Sequence, residues 1–492
     1  MQDSQAPLRK PAQQALLWSA GLNLVRDGLQ FAQMLVLVRL LDTSMYGEVA
    51  WATALINFIG IASFDNIALH MLQVRGDARV DYSEHFTAGV VLNGLLFAAA
   101  NAAAFGLGFT ATYARLEPLV HLMSLTFLLR VLADIRIKML EREFAWSRLR
   151  LLQMAGVVVT VVSGITMAVC GAGVYALVVP GLLPAVIFLG DLFLVERWRP
   201  RWGWSAASYR DAALFGLNRA GSNVLNAGRT FLQNTLIARH FAFGTLGVFG
   251  RADGLANMFC GRVSQEVSNA LYPVVTRAAV GSERFQRISG LVLQGVAWVV
   301  FPIAAFLALE SHAIVRLLYG QKWLAAIPLL PLAMAAGAMV SVASVTYQLL
   351  LANDRSRLCL RSDIAAFVMV VAAVFVLVPY GVYRYLIGVV SVQTAVCGIL
   401  MTLLVRTGGI HCRAIGIALG PPALAAALAS ATAFFVEAVL PSEWPDAVRL
   451  AVDAAWYSVV YLAVLRAGFS THLANLVECL PGSTRIRRLL YV

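Results

Sequence analysis

Apolar residues fall in long runs along this chain, separated by short basic or turn-forming segments. A helix needs about 20–25 apolar residues to cross a hydrocarbon core, and the runs have that length. The first six lie at roughly 13–41, 47–73, 86–112, 117–139, 151–170 and 174–195. Six more follow at roughly 211–239, 246–274, 288–309, 324–351, 362–380 and 384–405. A final pair occupies roughly 414–440 and 447–466, which makes about fourteen spans. Runs of this length exclude barrel strands, so the expected class is an all-α polytopic membrane protein. The first run has no convincing cleavage site and is expected to stay as a span.

The polar positions inside these runs repeat. The stretch Leu17–Asn57 recurs as Leu217–Asn257 without a gap. Asn23, Gly28, Phe31, Gln33, Arg39 and Gly47 match Asn223, Gly228, Phe231, Gln233, Arg239 and Gly247. Ala20, Gly21, Ala52, Leu55 and Asn57 match their counterparts as well. That is about a dozen identities over about forty positions, where chance gives roughly one in ten, so the halves are duplicated. An even number of spans per half inserts both halves in one direction. The expected lobes are 1–205 and 206–410, related by a pseudo-two-fold axis along the membrane normal. Helices 13 and 14 and a cytoplasmic tail, 411–492, are appended, and the pair is a candidate groove for a lipid tail.

The seventh span carries Arg219, Ser222, Asn223, Asn226, Arg229, Thr230 and Gln233 at three- and four-residue steps, hence on one face. The first span repeats this with Ser19, Asn23, Arg26, Asp27, Gln30 and Gln33. The eighth adds Arg251, Asp253, Asn257, Arg262, Gln265 and Glu266, and the second adds Asp65, Asn66 and His70. A charge at the hydrocarbon centre costs roughly 2.5–3.5 kcal/mol on insertion scales, so these faces belong against water or each other. Arginine in excess of carboxylate suits an anion, because guanidinium binds phosphate through paired donors and keeps its charge. The amides and hydroxyls beside it suit sugar hydroxyls. Asp27, Asp65, Asp253 and Glu266 balance arginines in the empty state or bind a coupling ion; both readings stand.

Composition narrows the class. With 60% hydrophobic and 13% charged residues the chain is no water-soluble domain, and its mean hydropathy is +0.76. The net charge of +12 is distributed by side. Alternate loops carry Arg75/Arg79, Arg136–Arg150, Arg197–Arg210, Arg277–Arg287, Arg355–Arg361 and Arg406/Arg413, while the loops between are poor in Lys and Arg. This positive-inside pattern places both termini in the cytoplasm and accounts for the charge without nucleic acid. Six scattered cysteines show neither a disulfide framework nor metal-site spacing.

Other segments have plainer readings. Arg39 and Arg239 sit near span ends, where they snorkel to the interface. Arg130 and Asp134 are one turn apart and can neutralise each other. Glu141–Arg150 is expected as an interfacial amphipathic helix, and Trp198, Trp202 and Trp204 as an aromatic belt. Leu317–Trp323 is expected as a turn with an interfacial tryptophan, and His70 as interfacial. No Walker loop, zinc spacing or hydrolase constellation is present, so no cofactor is expected. A proton or sodium gradient is then the candidate energy source.

Several segments, in order, carry a resemblance to a known family: LVRLLDTSMYGEVA (37–50), KMLEREFAWSRLRL (138–151), GAGVYALVVPG (171–181) and RWRPRWGWSAASYRDAALFG (197–216). GTLGVFGRADGLANM (244–258), ALYPVVTR (270–277) and LYGQKWLAAIPLL (318–330) continue it. The chain resembles the Wzx-type oligosaccharide flippases, polysaccharide exporters of the multidrug/oligosaccharidyl-lipid/polysaccharide superfamily. The resemblance implies transfer of an oligosaccharide on undecaprenyl pyrophosphate across the inner membrane by alternating access. It places cavity cations in spans 1, 2, 7 and 8, in line with Arg26, Arg219, Arg229 and Arg251 at the level of helix position. A polysaccharide polymerase and a chain-length regulator are the partners it suggests.

The expected substrate site is therefore Arg26, Arg219, Arg229 and Arg251 for pyrophosphate, with Asn23, Gln33, Asn223, Asn226 and Gln233 for sugar. An ion-coupled drug or metabolite antiporter on the same scaffold would need a carboxylate-dominated cavity. A membrane polymerase or ligase would show a long outward loop carrying its chemistry, and the outward loops here are short. An inert scaffold for a synthesis complex would have no use for the polar stripes.

Overall fold

The computed structural model describes the backbone of residues 6–64, 68, 71, 82–203, 206–267, 282–353, 355–407, 410–439, 441 and 444–478. Side chains are described for these residues except 6–20, 23–24, 62, 206–222 and 470–478. Every regular element among the described residues is helical. In order, the long helices are α1 (Ala6–Leu40), α2 (Thr43–Ile59), α3 (Tyr82–Gly108), α4 (Glu117–Arg142), α5 (Trp146–Val169) and α6 (Tyr175–Gly190). They continue with α7 (Ala206–Ala256), α8 (Glu283–Leu309), α9 (Leu330–Ala352), α10 (Ser356–Leu377), α11 (Val382–Arg406), α12 (Cys412–Val439) and α13 (Asp446–Glu478). Ten helical stretches are long and apolar enough to cross a membrane, and they coincide with the third to sixth and ninth to fourteenth expected spans. This is a multi-pass membrane protein. Helices α1 and α7, which bear polar stripes, and α2 lie outside those ten.

Contacts divide the chain into two compact units, Met1–Ala238 and Arg239–Val492. Helix α7 crosses that boundary and breaks at Ala242, where φ is 70° and ψ 168°. A left-handed φ at a residue with a side chain is costly and ends the helical run there. The loop expected between the seventh and eighth spans is thus a single-residue break.

In the first unit α4 is the axis. Its Val131, Ile135 and Met139, at four-residue steps, pack with Phe64, Phe86 of α3 and Leu192. A Cβ at Gly89 of α3 would come within 2.6 Å of Val131 Cγ1, so this glycine lets α3 and α4 approach closely. Buried among these helices is Arg136, 1% exposed in its side chain. Its Nε donates to Asp191 Oδ2 at 2.7 Å and its Nη1 to Glu196 Oε2 at 2.8 Å. Arg148 of α5 donates to Asp191 Oδ1 from Nη2 at 2.6 Å and from Nε at 3.0 Å. One carboxylate therefore ties α4 and α5 to the end of α6.

Two expectations are corrected here. Residues 141–150 are not one amphipathic helix: α4 stops at Arg142, Phe144 takes φ 54°, and α5 starts at Trp146. The polar run is the reversal between two spans. Nor is Trp323 interfacial. Gly320, at φ 85°, reverses the chain and sends Trp323 inward, where it is fully buried against Tyr319 with ring centroids 5.7 Å apart.

In the second unit, Ser282 caps α8 by accepting from Phe285 N at 3.1 Å. Ala425, Ala426, Ala429 and Ala433 form a small-residue face on α12 against Trp298 of α8 and Tyr457, Tyr461 and Leu465 of α13. Such faces let helices pack closely where no hydrophobic driving force separates helix from lipid. Tyr461 adds a hydrogen bond from its hydroxyl to Trp298 O at 2.9 Å. The last two helices are thereby fixed to α8.

Candidate functional site

A polar cavity of about 420 Å³ opens within the first unit. Asn57 comes from α2, Ser63 from the segment after it, Asn93 from α3, Thr126 and Arg130 from α4, and Asn223, Asn226 and Thr230 from α7. The wall on α7 follows helical spacing, with residues 223, 226 and 230 on one face. What aims that face is the docking of its neighbours on α2. Asn234, 7% exposed, donates to Ala50 O at 3.1 Å, and Trp51 Nε1 donates to Thr235 Oγ1 at 3.0 Å. Phe231 lies between Phe58 and Trp51, at centroid distances of 5.4 and 5.8 Å.

Asn93 holds the opposite wall. It is fully buried; its Oδ1 accepts from Phe64 N at 2.9 Å and its Nδ2 donates to Phe127 O at 2.8 Å. The chain leaves α2 through a short 3-10 turn, Gly60–Ala62, and an extended Ser63, which strips Phe64 of a helical acceptor. A buried unpaired N–H would be costly, and Asn93 removes that cost while bridging α3 to α4.

A second cavity of about 500 Å³ shares Thr126 and Arg130 with the first and adds Asp134 and Lys138 of α4 and Gly181 and Pro184 of α6. Thr126, Arg130, Asp134 and Lys138 stand at four-residue steps, a polar ladder down one face of α4. Arg130 is the cation common to both cavities. Neither Asn93 nor Arg130 was among the expected substrate residues. An asparagine in the apolar run VVLNGLLF and a four-residue polar period in span 4 are the sequence signals that mark them.

The expected site residues divide. Asn223 and Asn226 line the first cavity. Arg229 and Gln233, half-buried on the same helix, lie outside its wall. Gln33 of α1 donates from Nε2 to Thr160 O at 3.1 Å, so its amide joins α1 to α5. Gly164, with no side chain, leaves room for that amide. Arg26 Nε contacts Asp27 Oδ1 at 3.1 Å, a pair of adjacent residues about one-third exposed. In the second unit Arg251 is half-buried, and its carbonyl accepts from Tyr319 OH at 3.4 Å; Asp253 and Glu266 are exposed. The side chains of Asn23 and Arg219, and Asp65, Asn66 and His70, lie outside the described residues.

The chain is 23% identical to the lipopolysaccharide biosynthesis protein WzxC of Escherichia coli (strain K12), over 71% of each chain. Its fold is similar to that of the lipid II flippase MurJ in an inward closed conformation: TM-score 0.72, 11% identity, 93% of this chain and 100% of that one. It is also similar to an inward-facing multidrug resistance MATE family transporter of the MOP superfamily: TM-score 0.58, 15% identity, 78% and 94% covered. The family model described as polysaccharide biosynthesis protein matches residues 36–328, more than half of the sequence, and the chain belongs to that family.

Proposed function

We propose that this protein is a flippase that moves undecaprenyl-pyrophosphate-linked oligosaccharide across the inner membrane by alternating access. The observation that carries the reading is the cavity of the first unit, lined by amides, hydroxyls and Arg130, two of whose walls, α3 and α4, are long and apolar enough to cross a membrane. Sugar hydroxyls need paired donors and acceptors, which asparagine and threonine supply; pyrophosphate needs fixed positive charge, which arginine supplies. Family membership and the name of the relative WzxC support polysaccharide precursors as cargo. The fold shared with a lipid II flippase supports a lipid-linked substrate.

Fourteen spans, lobes at 1–205 and 206–410, and both termini in the cytoplasm complete the proposal. Rocking of the lobes exposes the bound headgroup to one side and then the other, and the substrate shifts that equilibrium only by its differential affinity for the two states. Arg26, Arg219, Arg229 and Arg251 are assigned to the pyrophosphate. Asn23, Gln33, Gln233, Asn223 and Asn226 are assigned to the sugars, and Asp27, Asp65, Asp253 and Glu266 to charge balance or ion coupling. A multidrug transporter shares the fold, so the fold does not separate drug from glycolipid. The amide, hydroxyl and guanidinium groups among the first cavity's described lining support the glycolipid reading.

The double replacement Arg219→Ala/Arg229→Ala tests the charge assignment. Export of polysaccharide should stop while the protein remains inserted at the wild-type level. Wild-type export at equal protein level rejects these two arginines as the pyrophosphate site.

A further inference from the structure

A cluster of carboxylates in the second unit has no place in the substrate cavity. Glu310 ends α8, at the end opposite Arg284 and Arg287, and opens the short helix Ser311–Ile314. Its backbone is satisfied: its N–H donates to Phe306 O and its carbonyl accepts from Ile314 N, both at 2.9 Å. Its side chain is not. Glu310 is 3% exposed and its Oε1 has no hydrogen-bond partner. Asp453 of α13 is 1% exposed, and its Oδ1 also lacks one. Glu437 of α12 contributes a third carboxylate acting on Glu310.

One cation faces them. Arg449 of α13 donates from Nη2 to Glu437 O at 3.4 Å, and its Nε is unpartnered. On α8 and α13, four residues before Glu310 and four after Asp453, the rings of Phe306 and Tyr457 lie 5.3 Å apart, and the Tyr457 hydroxyl is buried. Toward the surface, Arg316 Nε and Asp446 Oδ2 lie 3.8 Å apart with both side chains partly exposed, and His312 is exposed. Two buried carboxylates, the half-buried Glu437 and the half-buried Arg449 leave an excess of negative charge between the helices. Buried carboxylates that lack donors are stabilised by taking up a proton.

We propose that Glu310, Asp453 and Glu437 form a proton-binding site between α8, α12 and α13, in which Glu310 takes a proton from water beyond the Arg316–Asp446 pair. Burial, together with the charges of Glu437 and Asp453, pushes the Glu310 carboxyl up to about 7, with Arg449 pulling the other way. Protonated, Glu310 becomes a donor and the repulsion across the three helices falls; ionised, it pushes them apart. The site thereby links proton occupancy to the packing of the last two helices on α8. Its use as the coupling site of transport rests on the flippase reading; the binding of the proton does not.

The test is infrared difference spectroscopy on the full-length protein in lipid nanodiscs, titrated from acid to alkaline pH. A protonated-carboxyl band should disappear with a midpoint near 7, and Glu310→Gln should remove that band. Glu437→Gln should lower the midpoint and Arg449→Gln should raise it, each by about one pH unit. Those shifts have opposite signs, so a variant that merely loosens the bundle cannot mimic both. Thermal stability gives a second readout. The folded protein holds a proton that the unfolded chain releases, so stability should fall as pH rises from 4.5 to about 7 and fall less steeply there in Glu310→Gln. A band unchanged by Glu310→Gln, or a midpoint indifferent to both charge variants, overturns the proposal. A midpoint that moves with sodium concentration also overturns it, in favour of a monovalent metal cation. Transport is not read here, so failure of this proposal leaves the flippase reading standing.

Discussion

Leucine in place of Arg130 is expected to reduce translocation by about 10- to 150-fold while the protein folds and inserts normally. The size follows from hydrogen bonds to charged groups, worth about 1.5–3 kcal/mol each, with 1.4 kcal/mol per factor of ten. Arg130 is the one cation shared by the two cavities among the described residues, and it stands mid-ladder on α4. On the proposed reading, a pyrophosphate that enters either cavity meets Arg130 in addition to the arginines assigned to it. Leucine preserves helix propensity and apolar bulk but deprives Asp134, one turn away, of a neutralising charge, so the comparison with lysine, which keeps that charge, isolates the role of the guanidinium. Lysine should recover part of the activity, because it keeps the charge and loses the planar paired donors. The measurement is polysaccharide export normalised to membrane-inserted protein. Equal export by the leucine variant would remove Arg130 from the substrate path.

Asparagine at Asp191 should have the largest effect on stability, about 3–5 kcal/mol, the usual loss when one partner of a buried ion pair is removed. Asp191 accepts from both Arg136 and Arg148, and Arg136 is almost wholly buried, with Glu196 as its other carboxylate. Neutralising Asp191 leaves the buried Arg136 with Glu196 as its remaining carboxylate and takes the carboxylate partner from the partly exposed Arg148. The expected readout is a lowered unfolding temperature in detergent and less intact protein in the membrane. Adding Arg136→Met to Asp191→Asn should cost less than the sum of the two single replacements, because each single change already breaks the ion pair that the two side chains share. Additive losses would mean that the three side chains act independently.

The sequence made the helices legible because their signal is intrinsic. A run such as Phe86–Gly108 must be helical in lipid, where each backbone group needs an internal partner. Asn223 and Asn226 were legible as well, because three- and four-residue spacing alone puts them on one face. Gln33 followed the same spacing, yet its amide bonds the backbone of Thr160, a partner no periodicity reveals. Asn93 was missed for the converse reason. It is a single polar residue in an apolar helix, and its value comes from the orphaned N–H of Phe64 and the carbonyl of Phe127 on two other segments. The reversal at Phe144 was hidden by the charged residues on either side, which fit a surface helix equally well. Trp323 was misplaced because an aromatic beside Lys322 and Gly320 resembles an interfacial anchor, whereas the left-handed glycine turns it inward.

On the proposed reading, the polar cavity of the first unit receives a lipid-linked oligosaccharide. The most direct test is translocation of labelled undecaprenyl-pyrophosphate-linked oligosaccharide by the purified protein in lipid vesicles, read by protection from an external glycan-modifying reagent. Vesicles containing the wild-type protein should move the label between leaflets at a rate that protein-free vesicles lack and that Arg130→Leu reduces. Wild-type vesicles that move no label, but accumulate small cationic drugs against an ion gradient, would contradict it.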